Sequence, residues 1–149
     1  MNHFRVETIE QVELVAGVFT HLNKGEIADA IAYFAHECQF SDYGLQLQFT
    51  NRRRLSEFFQ KARELYPDSS WQTDRILVSG DHVTAEWTLR TTLTEPFYAG
   101  LSRKVPIKLH GASIVRTENG RITDWTDYYD GLRARRTALG AYFEEWVEL

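Results

Sequence analysis

Up to about residue 66 the apolar side chains recur at the three- and four-residue spacing of a helix face, and from Ser70 onward they fall at every second position. Ile9, Val12, Ala16 and Phe19 form the first stripe, widened by Val15 and Leu22. Thr8 followed by Gln11 reads as a capping box that opens this helix, and Asn23-Lys24-Gly25 closes it. Glu26 to Ala35 predicts a second short helix with Ile27, Ile31 and Phe34 inward, and Cys38 to Tyr43 a brief strand. Leu55, Phe58, Phe59, Ala62, Leu65 and Tyr66 make the cleanest stripe, which Pro67 stops.

The period-two region begins with a strand that leads into the hairpin Ser79-Gly80-Asp81. Val83, Ala85, Trp87, Leu89 and Leu93 then alternate with Thr84, Glu86, Thr88, Arg90, Thr92 and Thr94. From Arg103 to Thr117, Val105, Ile107, Leu109, Gly111, Ser113 and Val115 share one face, opposite Lys108, His110 and Arg116. A turn at Glu118-Asn119-Gly120 returns the chain through ITDWTDYYD, in which alternation puts Asp127 on the same face as Trp125 and Tyr129. A closing helix is expected from about Gly131, carrying Leu132, Leu139, Phe143 and Trp146. Helices followed by consecutive antiparallel strands predict one α+β domain over residues 1–149, its curved sheet wrapped around three N-terminal helices. There is no internal repeat or linker.

Composition narrows the functional classes. At 149 residues the chain buries enough surface to need neither metal nor disulfide for stability. With 43% hydrophobic and 13% aromatic residues it suits a bulky core or a ring-lined cavity. A formal charge of −4 argues against nucleic acid, and the run Arg52-Arg53-Arg54 is too short to track phosphates. Cys38 is alone, which fits a reducing compartment, and it reads as buried and inert. The N-terminus lacks a secretory pattern and no run of about 18 apolar residues exists, so a cytoplasmic protein without a membrane span is expected. His3, His21, His36 and His82 show no ligand spacing, so no metal is expected. No phosphate-binding loop or GxSxG elbow appears, and no cofactor is expected.

The stretch HLNKGEIADAIAYFAHECQFSDYG, the turn ENGRI and the strand end WTDYYD together resemble the nuclear-transport-factor-2-like superfamily. That superfamily includes ketosteroid isomerase, limonene epoxide hydrolase, scytalone dehydratase and SnoaL-like polyketide cyclases. The resemblance implies a cone-shaped, curved antiparallel sheet, a deep apolar cavity and a homodimer packed through the sheet. By the same resemblance Asp127 matches an acid of limonene epoxide hydrolase, but the other two members of that enzyme's acid-arginine-acid set fall at Trp87 and Leu89. Its water-holding tyrosine and asparagine fall at Phe40 and Asp42. The proton-shuttling aspartate of ketosteroid isomerase corresponds to Asp42, while its oxyanion tyrosine falls near Val18 and its protonated aspartate near Ser113. The base is thus implied and the electrophilic half reduced.

Asp42 and Asp127 are accordingly expected as catalytic residues in one cavity, walled by Phe34, Phe40, Phe58, Trp87, Leu89, Trp125 and Tyr129, with Ser113 as a further contact. Loss of water and a second nearby carboxylate both disfavour ionisation, which would bring such acids toward neutrality. The competing structural roles are a local turn cap with Gly44 for Asp42 and an ion pair with Arg133 for Asp127. His110 is expected at the surface or in a dimer interface, and Asp130 on the opposite face from Asp127. Tyr33 and Tyr43 read either as ligand-orienting or as core and rim residues. The leading expectation is a cofactor-independent enzyme that moves a proton on an apolar, ring-containing small molecule during isomerisation, cyclisation or dehydration. The alternative is a non-catalytic ligand-binding or dimerisation domain, and epoxide hydrolysis ranks third.

Overall fold

The computed structural model describes residues 2–132. Three helices, α1 (Asn2–Lys24), α2 (Ile27–Ile31) and α3 (Arg52–Leu65), accompany six strands. These are β1 (Phe34–Asp42), β2 (Leu47–Asn51), β3 (Ser70–Ser79), β4 (His82–Tyr98), β5 (Leu101–Glu118) and β6 (Arg121–Tyr129). They form one open, curved sheet in the order β2-β1-β6-β5-β4-β3, which confirms the expected α+β class. All neighbours are antiparallel except β1 and β6, which run parallel. The sheet is therefore mixed rather than wholly antiparallel, because the chain reaches β6 only after building the other half of the sheet.

Val15, Val18, Phe19 and Leu22 of α1 are buried and lie against the sheet. Gly25, at φ 73°, takes the left-handed conformation that ends the helix. The predicted capping box does not form, since α1 already runs from Asn2. The Gln11 amide instead donates to Gly80 O at 2.8 Å and Thr117 Oγ1 at 3.1 Å, tying α1 to the strand turns. The other end is held by Asn23, whose side chain donates to Trp71 O at 2.8 Å and accepts from Trp71 N–H at 2.7 Å.

The second predicted helix is cut to five residues, and Phe34, expected on it, opens β1. Strand β2 was not expected. It leads into α3, whose first turn is capped by the Asn51 side chain accepting from Arg54 N–H at 3.0 Å. Leu55 and Phe58 then face inward, with Phe59, Ala62 and Leu65 packed on the same core. The expected closing helix, with Leu139, Phe143 and Trp146, and the Arg133 pairing lie outside the described residues. Among the described residues no helix is long and apolar enough to cross a membrane.

Candidate active site

Strand register brings the two aspartates together. Asp42 on β1 is paired with Asp127 on β6, and Asp127 with Ser113 on β5, so the three side chains form one row on the inner face. The next row joins Trp87, Gly111 and Tyr129, and the row on the other side joins Phe49, Phe40, Trp125, Val115 and Val83. Gly111 lacks the side chain that would collide with the Trp87 ring, which lets that indole lie flat across β5.

Both carboxyls are buried, and their polar partners are neutral. Asp127 Oδ1 accepts from Ser113 Oγ at 2.5 Å and from Trp125 Nε1 at 2.6 Å. Ser113 Oγ in turn accepts from Trp87 Nε1 at 2.9 Å. Asp42 Oδ1 accepts from Leu45 N–H at 2.8 Å, and its carboxyl is also bonded by Gly44 N–H and the Tyr129 hydroxyl. Burial pushes Asp42 up to about 6 despite these donors. Burial, with the Asp42 charge adding to it, pushes Asp127 up to about 7. Asp42 has three donors against two for Asp127, and the charge of Asp42 disfavours ionisation of Asp127, so the two carboxyls ionise one after the other.

A cavity of about 130 Å³ opens between the sheet and the helices, lined by Asp42 and Asp127 on the strand side. Of the residues expected around it, Phe58, Trp87, Leu89 and Tyr129 line it. Phe34, Phe40 and Trp125 do not. They are 1%, 1% and 3% exposed and belong to the packed core, with Phe34 against the Trp125 ring and Phe40 against Phe49, Phe58 and Phe59. Ser113 is fully buried and reaches the cavity only through Asp127. The lining also holds Leu22, Arg63, Tyr66, Trp71, Thr91 and Ile107, none of which was expected in the cavity wall. Alternation put Ile107 on the inner face of β5, and Thr91 falls between Leu89 and Leu93 on the inner face of β4 although it is not apolar, whereas Arg63 has no signal in the periodicity.

The remaining candidates fall elsewhere. His110 is exposed on the outer face, its ring nitrogen 3.1 Å from Thr88 Oγ1, and Thr88 donates to Asp74 at 2.6 Å. Asp130 is exposed and accepts from Leu132 N–H at 3.1 Å. Tyr43 is exposed and packs on Tyr128, while Tyr33 lies against Gly17 and the His21 ring. Cys38 is buried within β1, and burial pushes its thiol up. Ligand atoms of His21, Glu26 and Asp29 come within 4.8 Å of one another at the α1–α2 corner, where both acids are exposed and Glu26 already faces His21 at 3.7 Å.

Residues 15–125 match the family model described as a SnoaL-like domain. Among curated proteins none matches the sequence. A putative SnoaL-like polyketide cyclase from Jannaschia sp. CCS1 superposes with a TM-score of 0.73 at 13% identity, covering 87% of this chain and 92% of that one. A limonene-epoxide-hydrolase-like epoxide hydrolase of M. tuberculosis gives 0.67 at 17% identity, with 82% and 84% covered. A protein with a ketosteroid isomerase-like fold from Catenulispora acidiphila, solved with trimethylamine, gives 0.67 at 20% identity, with 78% and 85% covered. At such identities the likeness establishes the fold, which is that of the nuclear-transport-factor-2 and ketosteroid isomerase group.

Proposed function

The chain belongs to the SnoaL-like domain family, and on that premise we propose that it is a cofactor-independent enzyme that moves a proton on an apolar, ring-containing small molecule held in the cavity. The observation that supports this most is the register pairing of two buried carboxyls, both raised toward neutrality and neither ion-paired among the described residues. Two such groups with separated acidities supply an acid and a base at one pH. Asp42, the stronger acid, is the base: its carboxylate takes a proton from the carbon next to a substrate carbonyl, and the electron pair moves onto the carbonyl oxygen. Asp127, still protonated, hydrogen-bonds that oxygen and so stands in for the missing oxyanion donors. Asp42 then returns the proton to a different carbon, which completes an isomerisation or prepares a ring closure or loss of water.

The reading extends to a homodimer through the outer sheet face, where Tyr43, Ile114 and Tyr128 are exposed, and to a cytoplasmic location. Epoxide opening gains nothing from the site, because Trp87 and Leu89 occupy the positions where the resemblance requires a charged pair. A purely ligand-binding role would account for Asp42 as the cap of the turn at Gly44 and Leu45, but it does not call for two carboxyls raised toward neutrality side by side.

The test is proton exchange itself, which needs no knowledge of the natural substrate. In D2O, NMR should show deuterium entering the α-position of cyclic enones faster with the protein than in buffer. Asp42→Asn should slow this by about 10²- to 10⁴-fold. The wild-type rate should be bell-shaped, falling below about pH 6 as Asp42 takes up its proton and above about pH 7 as Asp127 loses its own. Exchange no faster than buffer across the panel, or unaltered in both Asp42→Asn and Asp127→Asn, would leave the ligand-binding alternative.

A further inference from the structure

Among the described residues, Arg63 is the one basic side chain in the lining of the cavity. It lies near the C-terminal end of α3 and is half-buried. The other cations of that helix are engaged: Arg52 with His36, Arg53 and Arg54 with Glu57, and Lys61 with Glu64. Arg63 has no hydrogen bond or ion pair among the described residues. Its guanidinium lies instead against Gly25, where an added Cβ would sit 3.2 Å from Nε and 3.4 Å from a terminal nitrogen. Glu26, which follows Gly25 in the chain, faces His21 at 3.7 Å.

A planar guanidinium that is partly withdrawn from water and has no acceptor among the described residues is suited to a carboxylate, sulfonate or phosphate, which it binds through two parallel hydrogen bonds. The reacting carboxyls lie on strands of the sheet and Arg63 on helix α3, and the same lining includes the apolar Phe58, Phe59, Trp71 and Leu89. We infer that the cavity selects substrates with an apolar ring body and one anionic substituent, and that Arg63 at the α1–α3 corner holds that anion. This rests on the cavity being the substrate site, as proposed above. Such a contact also fixes orientation, because the anion is repelled by the paired aspartates and the ring system is thereby delivered to them carbonyl first.

Two nearly isosteric probes test this by isothermal titration calorimetry on the whole chain: 2-naphthoate, which is anionic, and 2-acetylnaphthalene, which is neutral. Wild-type protein should bind the carboxylate at least about tenfold more tightly. In Arg63→Met, which keeps the apolar stem, that preference should disappear while the ketone binds as before, and Arg63→Lys should retain part of it. Ala62→Phe, which fills the cavity, should weaken both probes. Equal affinities in the wild type, a preference that survives Arg63→Met, or carboxylate binding that survives Ala62→Phe would overturn the inference while leaving the proton-exchange result standing. Failure of both probes to bind would remove the cavity as a binding site and the inference with it.

Discussion

A carboxyl that accepts only from a hydroxyl and an indole has no opposite charge to offset its own ionisation. Asp127 is in that position, and its effect on stability has a definite sign. Between pH 3.8 and about 7 the folded chain keeps a proton that the unfolded chain has released, so stability falls as pH rises through that window and stays low above it. Asp127→Asn should therefore raise the melting stability at pH 8, by on the order of 2 to 4 kcal/mol, and should make little difference at pH 5, where the native acid is already neutral. Calorimetric melts at the two pH values check this, and a variant that is less stable at pH 8 would contradict the account. At this scale the sequence was partly legible. Strand alternation placed Asp127, Trp125 and Tyr129 on one face, and Asp127, Asp42 and Tyr129 do line the cavity. It could not tell a lining ring from a core ring, because Phe34, Phe40 and Trp125 face inward in either case. Arg63 was hidden for a different reason: a lone cation on a helix gains meaning only from its having no acid partner among the described residues.

Among the elements, the turn between β1 and β2 is fastened to the end of β6 by two glycines. The Gly131 α-carbon lies directly on the Gly44 backbone, and Gly44 lies under the Tyr129 ring, whose hydroxyl bonds Asp42. Neither place leaves room for a methyl group. Gly131→Ala meets backbone, which cannot yield as a flexible side chain does, and should cost about 2 kcal/mol or more. Gly44→Ala should push the Tyr129 ring off Asp42, remove a donor from its carboxylate, and move the acidic limb of the exchange profile to higher pH. A limb that stays in place would mean that Tyr129 does not tune Asp42. The helix stripes of α1 and α3 and the long alternation of β4 and β5 were readable because neighbouring residues carry those patterns. Phe34 and Ala35, expected at the end of a helix, open a strand instead, since the partner that draws Phe34 into the sheet is β6, nearly 90 positions away along the chain. Strand β2 had its own local signal, with Leu45, Leu47 and Phe49 alternating with Gln46, Gln48 and Thr50, and Asn51 was a legible helix cap.

For the molecule as a whole, the helices first and strands afterwards gave the class, while the order of the sheet followed from no local pattern. Strand β6, the last described strand, is inserted between the first strand and the fifth. Within the sheet, the hairpin β1–β2 on one side of it is joined to the strands on the other side through its hydrogen bonds. A chain cut after Gly120 should consequently lack a cooperative thermal transition by circular dichroism, although most of its helices and strands are encoded. Full-length chains should refold slowly for their size, because the essential pairing closes a very long loop. There is also a consequence for a chain emerging from the ribosome. Its early hairpin must wait, with an unfilled edge, for a ribbon synthesised long after it, and until that ribbon docks Asp42 has no companion. The acid pair thus comes into being in a single late event, so an unfinished or prematurely released copy carries no half-active site.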